Sequence, residues 1–142
     1  MKIAIAADHG GFELKEALKR HYTEFDWLDL GTRSEDSVDY PDYAHKTAHT
    51  LLAGEADLGI LICGTGIGIS IAANRHKGIR AALLYSDDAA RLAKAHNNAN
   101  ILVFGGRTMS LADAVKRIDI FMHTAYEGGR HQRRLDKIEE TE

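Results

Sequence analysis

Five times along its 142 residues this chain passes from a short apolar run into an amphipathic segment, and that alternation leaves few folds open. The apolar runs fall at residues 2–7, 27–30, 57–62, 79–84 and 100–104. Between and after them the spacing predicts helices over 11–22, from Pro41 through Leu52, and over 67–75, 87–95 and 110–123. Phe12, Leu14, Ala17, Leu18 and Tyr22 share one helical face, as do Tyr43, Ala44, Thr47, Ala48, Leu51 and Leu52. The only proline, Pro41, stands where the first turn of a helix accepts it. Strands as continuously apolar as Leu58-Gly59-Ile60-Leu61-Ile62 must be covered on both faces, which is the condition of a parallel sheet. The expected fold is therefore α/β: a Rossmann-like three-layer α/β/α sandwich with a five-stranded parallel sheet, in a single domain spanning 1–142. Gly128-Gly129 breaks the last amphipathic segment, and 127–142 reads as a basic tail whose helix covers 130–140.

Composition narrows the class of partner. With 44% hydrophobic and 27% charged residues the chain has the profile of an ordinary globular protein, and its net charge of −3 offers no general attraction to nucleic acid or to a membrane surface. One cysteine allows no internal disulfide and suits a reducing compartment. The start, Met1-Lys2-Ile3-Ala4-Ile5-Ala6-Ala7-Asp8, meets an acid too early for a signal peptide, and no run approaches the roughly 18 apolar residues of a membrane span. A cytoplasmic protein is expected.

The third apolar run delivers that cysteine, Cys63, into Gly64-Thr65-Gly66-Ile67-Gly68. A thiol at the carboxyl end of a strand, facing the N–H groups of a glycine loop and a helix start, sits where anions bind and thiolates are favoured. The alternative is a small buried hydrophobe, the commoner use of a lone cysteine. In open α/β sheets ligands bind beyond the carboxyl ends of the strands, so Asp8-His9-Gly10-Gly11 after the first strand should face the same pocket. Asp8 could instead cap the first helix, and His9 could be a solvated loop residue. Arg130, His131, Arg133, Arg134 and Lys137 make the tail basic in an acidic protein. Arg130 and Arg134, spaced i, i+4, suit a two-pronged grip on phosphate, unless the tail is a solvated turn pairing with Glu139 or Glu140. Arg107, after Gly105-Gly106, adds a cation near the glycine loops. His96-Asn97-Asn98 lies between a helix and the following strand, hence at the amino end of the sheet, opposite Cys63. Either His96 is a helix C-terminal cation or it serves the pocket of a second subunit, which requires a symmetric dimer.

Taken together, Ala7-Asp8-His9-Gly10-Gly11-Phe12, Asp39-Tyr40-Pro41, Cys63-Gly64-Thr65-Gly66-Ile67-Gly68, His96-Asn97-Asn98, Gly105-Gly106-Arg107 and Gly128-Gly129-Arg130-His131-Gln132-Arg133-Arg134 resemble the type B ribose-5-phosphate isomerases over nearly the whole chain. The resemblance implies interconversion of ribose 5-phosphate and ribulose 5-phosphate, without metal or cofactor, in a homodimer with shared sites that can pair further into a tetramer. It implies Cys63 as the proton-transfer base, Thr65 as its partner and His96 as the ring-opening residue. Asp8, His9, Gly64, Thr65, Gly66, Ile67, Gly68 and Asn97 would contact the sugar, with Asp39 and Tyr40 lining its side, and Arg107, Arg130 and Arg134 would hold the phosphate. Some family members carry a glutamate base just after the glycine loop; Ile69 stands there in this chain, so it resembles the branch that uses the thiol.

These residue types fit such a reaction. Ring opening needs a group that gives and takes protons near neutral pH, which suits histidine. Moving a proton between adjacent carbons through an enediolate needs a base such as a thiolate and donors for the developing oxyanion. Other readings remain on the same residues. A nucleotide-binding module would use glycine loops too, although Gly64, Gly66 and Gly68 miss G-x-G-x-x-G because position 69 is isoleucine. A low-molecular-weight cysteine phosphatase would need an arginine where Ile69 stands. Asp8, His9 and His96 have metal-ligand residue types without ligand-like spacing. Relatives on this scaffold isomerise allose 6-phosphate or galactose 6-phosphate, and pocket size decides between five and six carbons. His21, His45, His49, His76 and His123 read as surface or helix residues without chemistry.

Overall fold

The computed structural model describes residues 1–141. Its elements alternate as the apolar periodicity predicts: β1 (Lys2–Ala7), α1 (Phe12–His21), β2 (Asp26–Asp29), α2 (Tyr40–Leu52), β3 (Leu58–Cys63), α3 (Ile67–Ala73), β4 (Ala81–Leu83), α4 (Asp87–Ala95), β5 (Ile101–Gly105), α5 (Leu111–Met122) and α6 (Arg130–Ile138). The five strands form one parallel sheet in the order β2-β1-β3-β5-β4.

That order decides which face each helix covers. A right-handed crossover from β1 outward to β2 and one from β2 back past β1 to β3 must lie on opposite faces. Accordingly α2 and α3 pack together over Leu61, Cys63, Ile101 and Val103, while α1, α4 and α5 cover Ile3, Ile5, Ile60, Ile62, Leu102 and Phe104. Successive strand residues alternate between the two layers, so Cys63 turns its side chain to the α2/α3 side. The direction of travel reverses between β1 and β3. Their carboxyl ends, with that of β5, therefore diverge into the crevice where such sheets bind ligands.

Several local expectations are corrected. β4 spans three residues rather than 79–84: Ile79 donates its N–H to the His76 carbonyl in a turn, and the Arg80 carbonyl serves Asn100 and Ile101 across the strand entrance. Leu52, expected on the buried stripe of α2, is 51% exposed, because Leu51 beside it takes the sheet-facing position against Gly59 of β3. The tail helix ends at Ile138 rather than 140.

The apolar face of α1 holds an unexpected charge. Lys15 is fully buried, and its Nζ lies 2.7 Å from Asp29 Oδ2, an oxygen that Lys19 also reaches at 2.7 Å. Burial pushes the Asp29 carboxyl upward, but the two ammonium groups and the Gly31 N–H outweigh it and hold the acid at about 2. This network ties α1 to the end of edge strand β2.

Candidate active site

At the carboxyl edge three loops interlock, and their glycines explain how. A Cβ on Gly10 would stand 3.0 Å from the Gly64 nitrogen, one on Gly106 only 2.3 Å from the Gly10 carbonyl oxygen, and one on Gly105 2.7 Å from the Thr65 carbonyl. Backbone thus meets backbone between the loops after β1, β3 and β5. Hydrogen bonds fasten the contact: Gly106 N–H donates to the Cys63 carbonyl at 2.8 Å, Arg107 N–H to Gly64 at 2.9 Å, and Asp8 N–H to Ile62 at 3.2 Å.

Within this frame the thiol of Cys63, 5% exposed, accepts the Gly66 N–H at 3.2 Å. Gly66 is the residue before α3 and has φ +83°, a left-handed conformation glycine adopts without strain. The exposed Thr65 accepts the Ile67 N–H at 3.2 Å through Oγ1, so its hydroxyl hydrogen points elsewhere. Two of the loop donors expected to face an oxyanion are thus engaged by side chains of the loop itself. Gly68 lies under the Tyr40 ring, whose nearest carbon would be 2.5 Å from a Cβ there, so Tyr40 leans on the start of α3. Asp39, just before α2, is exposed.

The alternative role of Asp8 as a helix cap is corrected. The residue before α1 is Gly11, with no side-chain cap, and Asp8 Oδ1 instead accepts the Gly10 N–H at 2.9 Å, bracing its own loop. Beside it His9 Nδ1 accepts the Val38 N–H at 3.2 Å, which assigns the hydrogen of a neutral ring to Nε2. His9, Gly10, Glu13, Glu35, Gly106 and Arg107 line a polar cleft of about 260 Å³. Arg107 Nη1 lies over Gly64, 3.2 Å from where a Cβ would stand.

The remaining candidates gather elsewhere. His96 closes α4, with its N–H on the Leu92 carbonyl at 2.9 Å, and the exposed Asn97 follows. The His96 ring stacks on that of His131, centroids 4.2 Å apart, and Glu127 N–H donates to Ala95 at 3.0 Å, which seats the tail against the end of α4. Arg130 and Arg134, both exposed, rise from α6 beside this contact rather than beside Arg107. β3 residues Gly59–Cys63 pair with Ile101–Gly105, so at about 3.3 Å per residue the sheet here is about 13 Å tall. The structure therefore brings Asp8, His9, Gly64–Gly68, Cys63 and Arg107 together at one edge, and His96, Asn97, Arg130 and Arg134 at the other. A metal site from Asp8, His9 and His96 is ruled out within one chain by the same separation.

Sequence reasoning missed Glu127, whose carboxylate lies 3.3 Å from His131 Nε2 and 3.8 Å from His96 Nε2. Its spacing of four from His131 was the available signal. Three of the histidines read as surface or helix residues gather in one cluster. His45 Nδ1 and His76 Nε2 stand 2.6 Å apart, with the His49 ring 5.0 Å from that of His76. Burial, then the charges of His45 and His49, hold His76 below the usual imidazole range.

Comparison with known proteins agrees with this architecture. The chain is 46% identical over 139 residues to ribose-5-phosphate isomerase B of Escherichia coli, covering 96% of this chain and 93% of that one. A ribose 5-phosphate isomerase crystal structure from Thermotoga maritima superposes with a TM-score of 0.96 at 56% identity, over 99% of this chain and 98% of the other. Ribose-5-phosphate isomerase B from Mycoplasma genitalium, solved with bound ribulose-5-phosphate, gives a TM-score of 0.90 at 44% identity, over 97% and 93%. Residues 3–138 match the ribose/galactose isomerase family, to which this chain belongs.

Proposed function

We propose that this protein interconverts D-ribose 5-phosphate and D-ribulose 5-phosphate through an enediolate, in a homodimer whose two sites each draw residues from both copies. One observation carries the reading: a thiol held by a loop N–H at one edge of the sheet, with the histidine and arginines that would complete its site at the other edge. Membership of an isomerase family and the ribulose-5-phosphate bound by the Mycoplasma genitalium relative support the substrate.

In this mechanism a neutral His96 of one copy accepts the anomeric hydroxyl proton on Nε2 and delivers it to the ring oxygen as the bond from C1 to that oxygen breaks, which opens the sugar. The Cys63 thiolate of the other copy removes the C2 proton and returns it to C1. Thr65 moves a proton between the two oxygens of the enediolate, while loop N–H groups stabilise the negative charge. Asp8, His9, Gly64, Gly66, Ile67, Gly68 and Asn97 hold the sugar; Arg107, Arg130 and Arg134 hold the phosphate, each arginine offering a planar fork to its oxygens. No metal or cofactor takes part. Exposed Ile67 and Ile71 on α3 and Tyr85 after β4 supply an apolar face for the second copy, and dimers can pair further. The working compartment is the reducing cytoplasm, where the thiol stays free; among the described residues no helix is long and apolar enough to cross a membrane.

The test is turnover of ribose 5-phosphate beside allose 6-phosphate and galactose 6-phosphate, with chelator, for wild type, Cys63→Ala and His96→Ala. Five-carbon turnover lost in both variants is expected. Six-carbon preference would keep the mechanism and change the substrate, and tight nucleotide binding without turnover would replace the reading. Mixing the two inactive variants should restore about a quarter of the wild-type activity, because half of the dimers are mixed and each holds one intact site. No recovery after verified subunit exchange would refute shared sites.

A further inference from the structure

We infer that His96, Glu127 and His131 form a binding site for a divalent transition ion of the zinc class, which on binding withdraws His96 from the sugar. One ligand atom from each of the three residues lies within 4.8 Å of the other two. Glu127 Oε1 stands 3.3 Å from His131 Nε2 and 3.8 Å from His96 Nε2. A tetrahedral ion with bonds of about 2.0–2.1 Å spaces its ligands roughly 3.3–3.4 Å apart, so the Glu127–His131 edge is already at that spacing and His96 is the ligand that must adjust.

A second observation points the same way. His131 is 5% exposed, yet its Nε2 has no hydrogen-bond partner among the described residues, the Glu127 contact being too poorly aligned to count. A buried imidazole nitrogen left without a partner costs stability that a bound ion would recover. Two imidazoles and one carboxylate, with a fourth position open to water, suit zinc, cobalt or nickel rather than magnesium or calcium, which demand oxygen ligands. The His96 and Glu127 side chains are 38% and 51% exposed, which leaves an entry path.

The backbone fixes where the ligands start. Glu127 N–H is held by Ala95 at the end of α4, and His131 N–H by Gly128, across a turn in which Gly128 and Gly129 have φ +65° and +56°. One adjustment is required. The two rings lie 15° from parallel, so their lone pairs converge only when His96 swings out of the stack, a movement its partial exposure allows. The His45, His49 and His76 group is a poorer candidate, because two of its nitrogens already face each other at 2.6 Å. An ion on His96 Nε2 occupies the lone pair that ring opening needs. Inhibition therefore rests on the role proposed above for His96, whereas binding does not.

The experiment is a Co²⁺ titration followed by visible absorption, with Zn²⁺ calorimetry, on the full metal-free chain. Wild type should take one ion per chain. Glu127→Gln, at an exposed position, and His131→Asn should weaken binding by about tenfold or more, while His76→Asn and Cys63→Ala bind as wild type. Absence of binding, wild-type binding by Glu127→Gln, or loss in either His76→Asn or Cys63→Ala would overturn the site. Zn²⁺ should also inhibit ribose 5-phosphate turnover reversibly in wild type and not in Glu127→Gln. Binding at the site without inhibition would uphold the metal site and refute the ring-opening role of His96.

Discussion

Gly106→Ala probes whether the interlocked loops position the chemistry or merely close the fold. The added methyl would stand 2.3 Å from the Gly10 carbonyl oxygen and 3.1 Å from the Gly11 Cα, where ordinary contact begins near 3.4 Å, so the loops must part by about 1.1 Å. Gly106 is not among the glycines with positive φ, so its conformation adds no strain and the cost is space alone. The β5 loop cannot retreat without breaking Gly106 N–H to Cys63 and Arg107 N–H to Gly64. The displacement therefore falls on Asp8–Gly11 and carries His9 with it. Overpacking of this kind costs about 1–3 kcal/mol, or roughly 2–12 °C in Tm for a chain of this size. A misplacement near 1 Å costs about 100-fold in rate. Steady-state kinetics on ribose 5-phosphate should show that loss in kcat/KM, with unchanged far-ultraviolet circular dichroism. Gly54→Ala, where nothing lies within 4 Å of the added methyl, should lower Tm through its φ of +76° and leave kcat/KM alone. A Gly106→Ala enzyme within threefold of wild type would refute the argument that these loops position one another.

Three further outcomes follow from the same structure. Asp29→Asn leaves the buried Lys15 without its main counter-ion and should cost about 3–5 kcal/mol in chemical denaturation; a loss under 1 kcal/mol would mean that water reaches the ammonium group. The folded pKa of Asp29, about 2, lies below its unfolded value, so its contribution of about 2 kcal/mol is complete above pH 4 and disappears as pH falls toward 2, which wild type and Asp29→Asn unfolding curves at successive pH values would resolve. Thr65→Val should cut kcat more than KM if the hydroxyl carries a proton between the enediolate oxygens, and full turnover would reduce Thr65 to a loop brace for the Ile67 N–H.

The layers of this fold were legible because they depend on nearest-neighbour periodicity. Ile60 and Ile62 alternate with Leu61 and Cys63, and a run without a polar position can only be a strand covered on both faces. The thiol at the end of that strand and the glycine loop beyond it were readable for the same reason, as was the placement of His96 at the opposite edge, which follows from counting strand ends. The buried charge of Lys15 was not readable, because its partner Asp29 is fourteen residues away on an edge strand, and nothing in the spacing of α1 distinguishes it from Lys19. Nor was the gathering of His45, His49 and His76, which join only because α2 and the turn after α3 lie on one face of the sheet.

What the sequence determined by itself, then, is the set of elements and which chemical groups stand at which end, since both are properties of the local chain and its apolar period. Tertiary structure decided which groups meet. Gly106 rests on Gly10 and Arg107 lies over Gly64 because strands distant in sequence were placed side by side in the order β2-β1-β3-β5-β4, and His96 meets Glu127 and His131 because the chain after α5 returns to the end of α4. That order is set by how two layers of helices cover one sheet, a packing condition on the whole chain that no single segment carries.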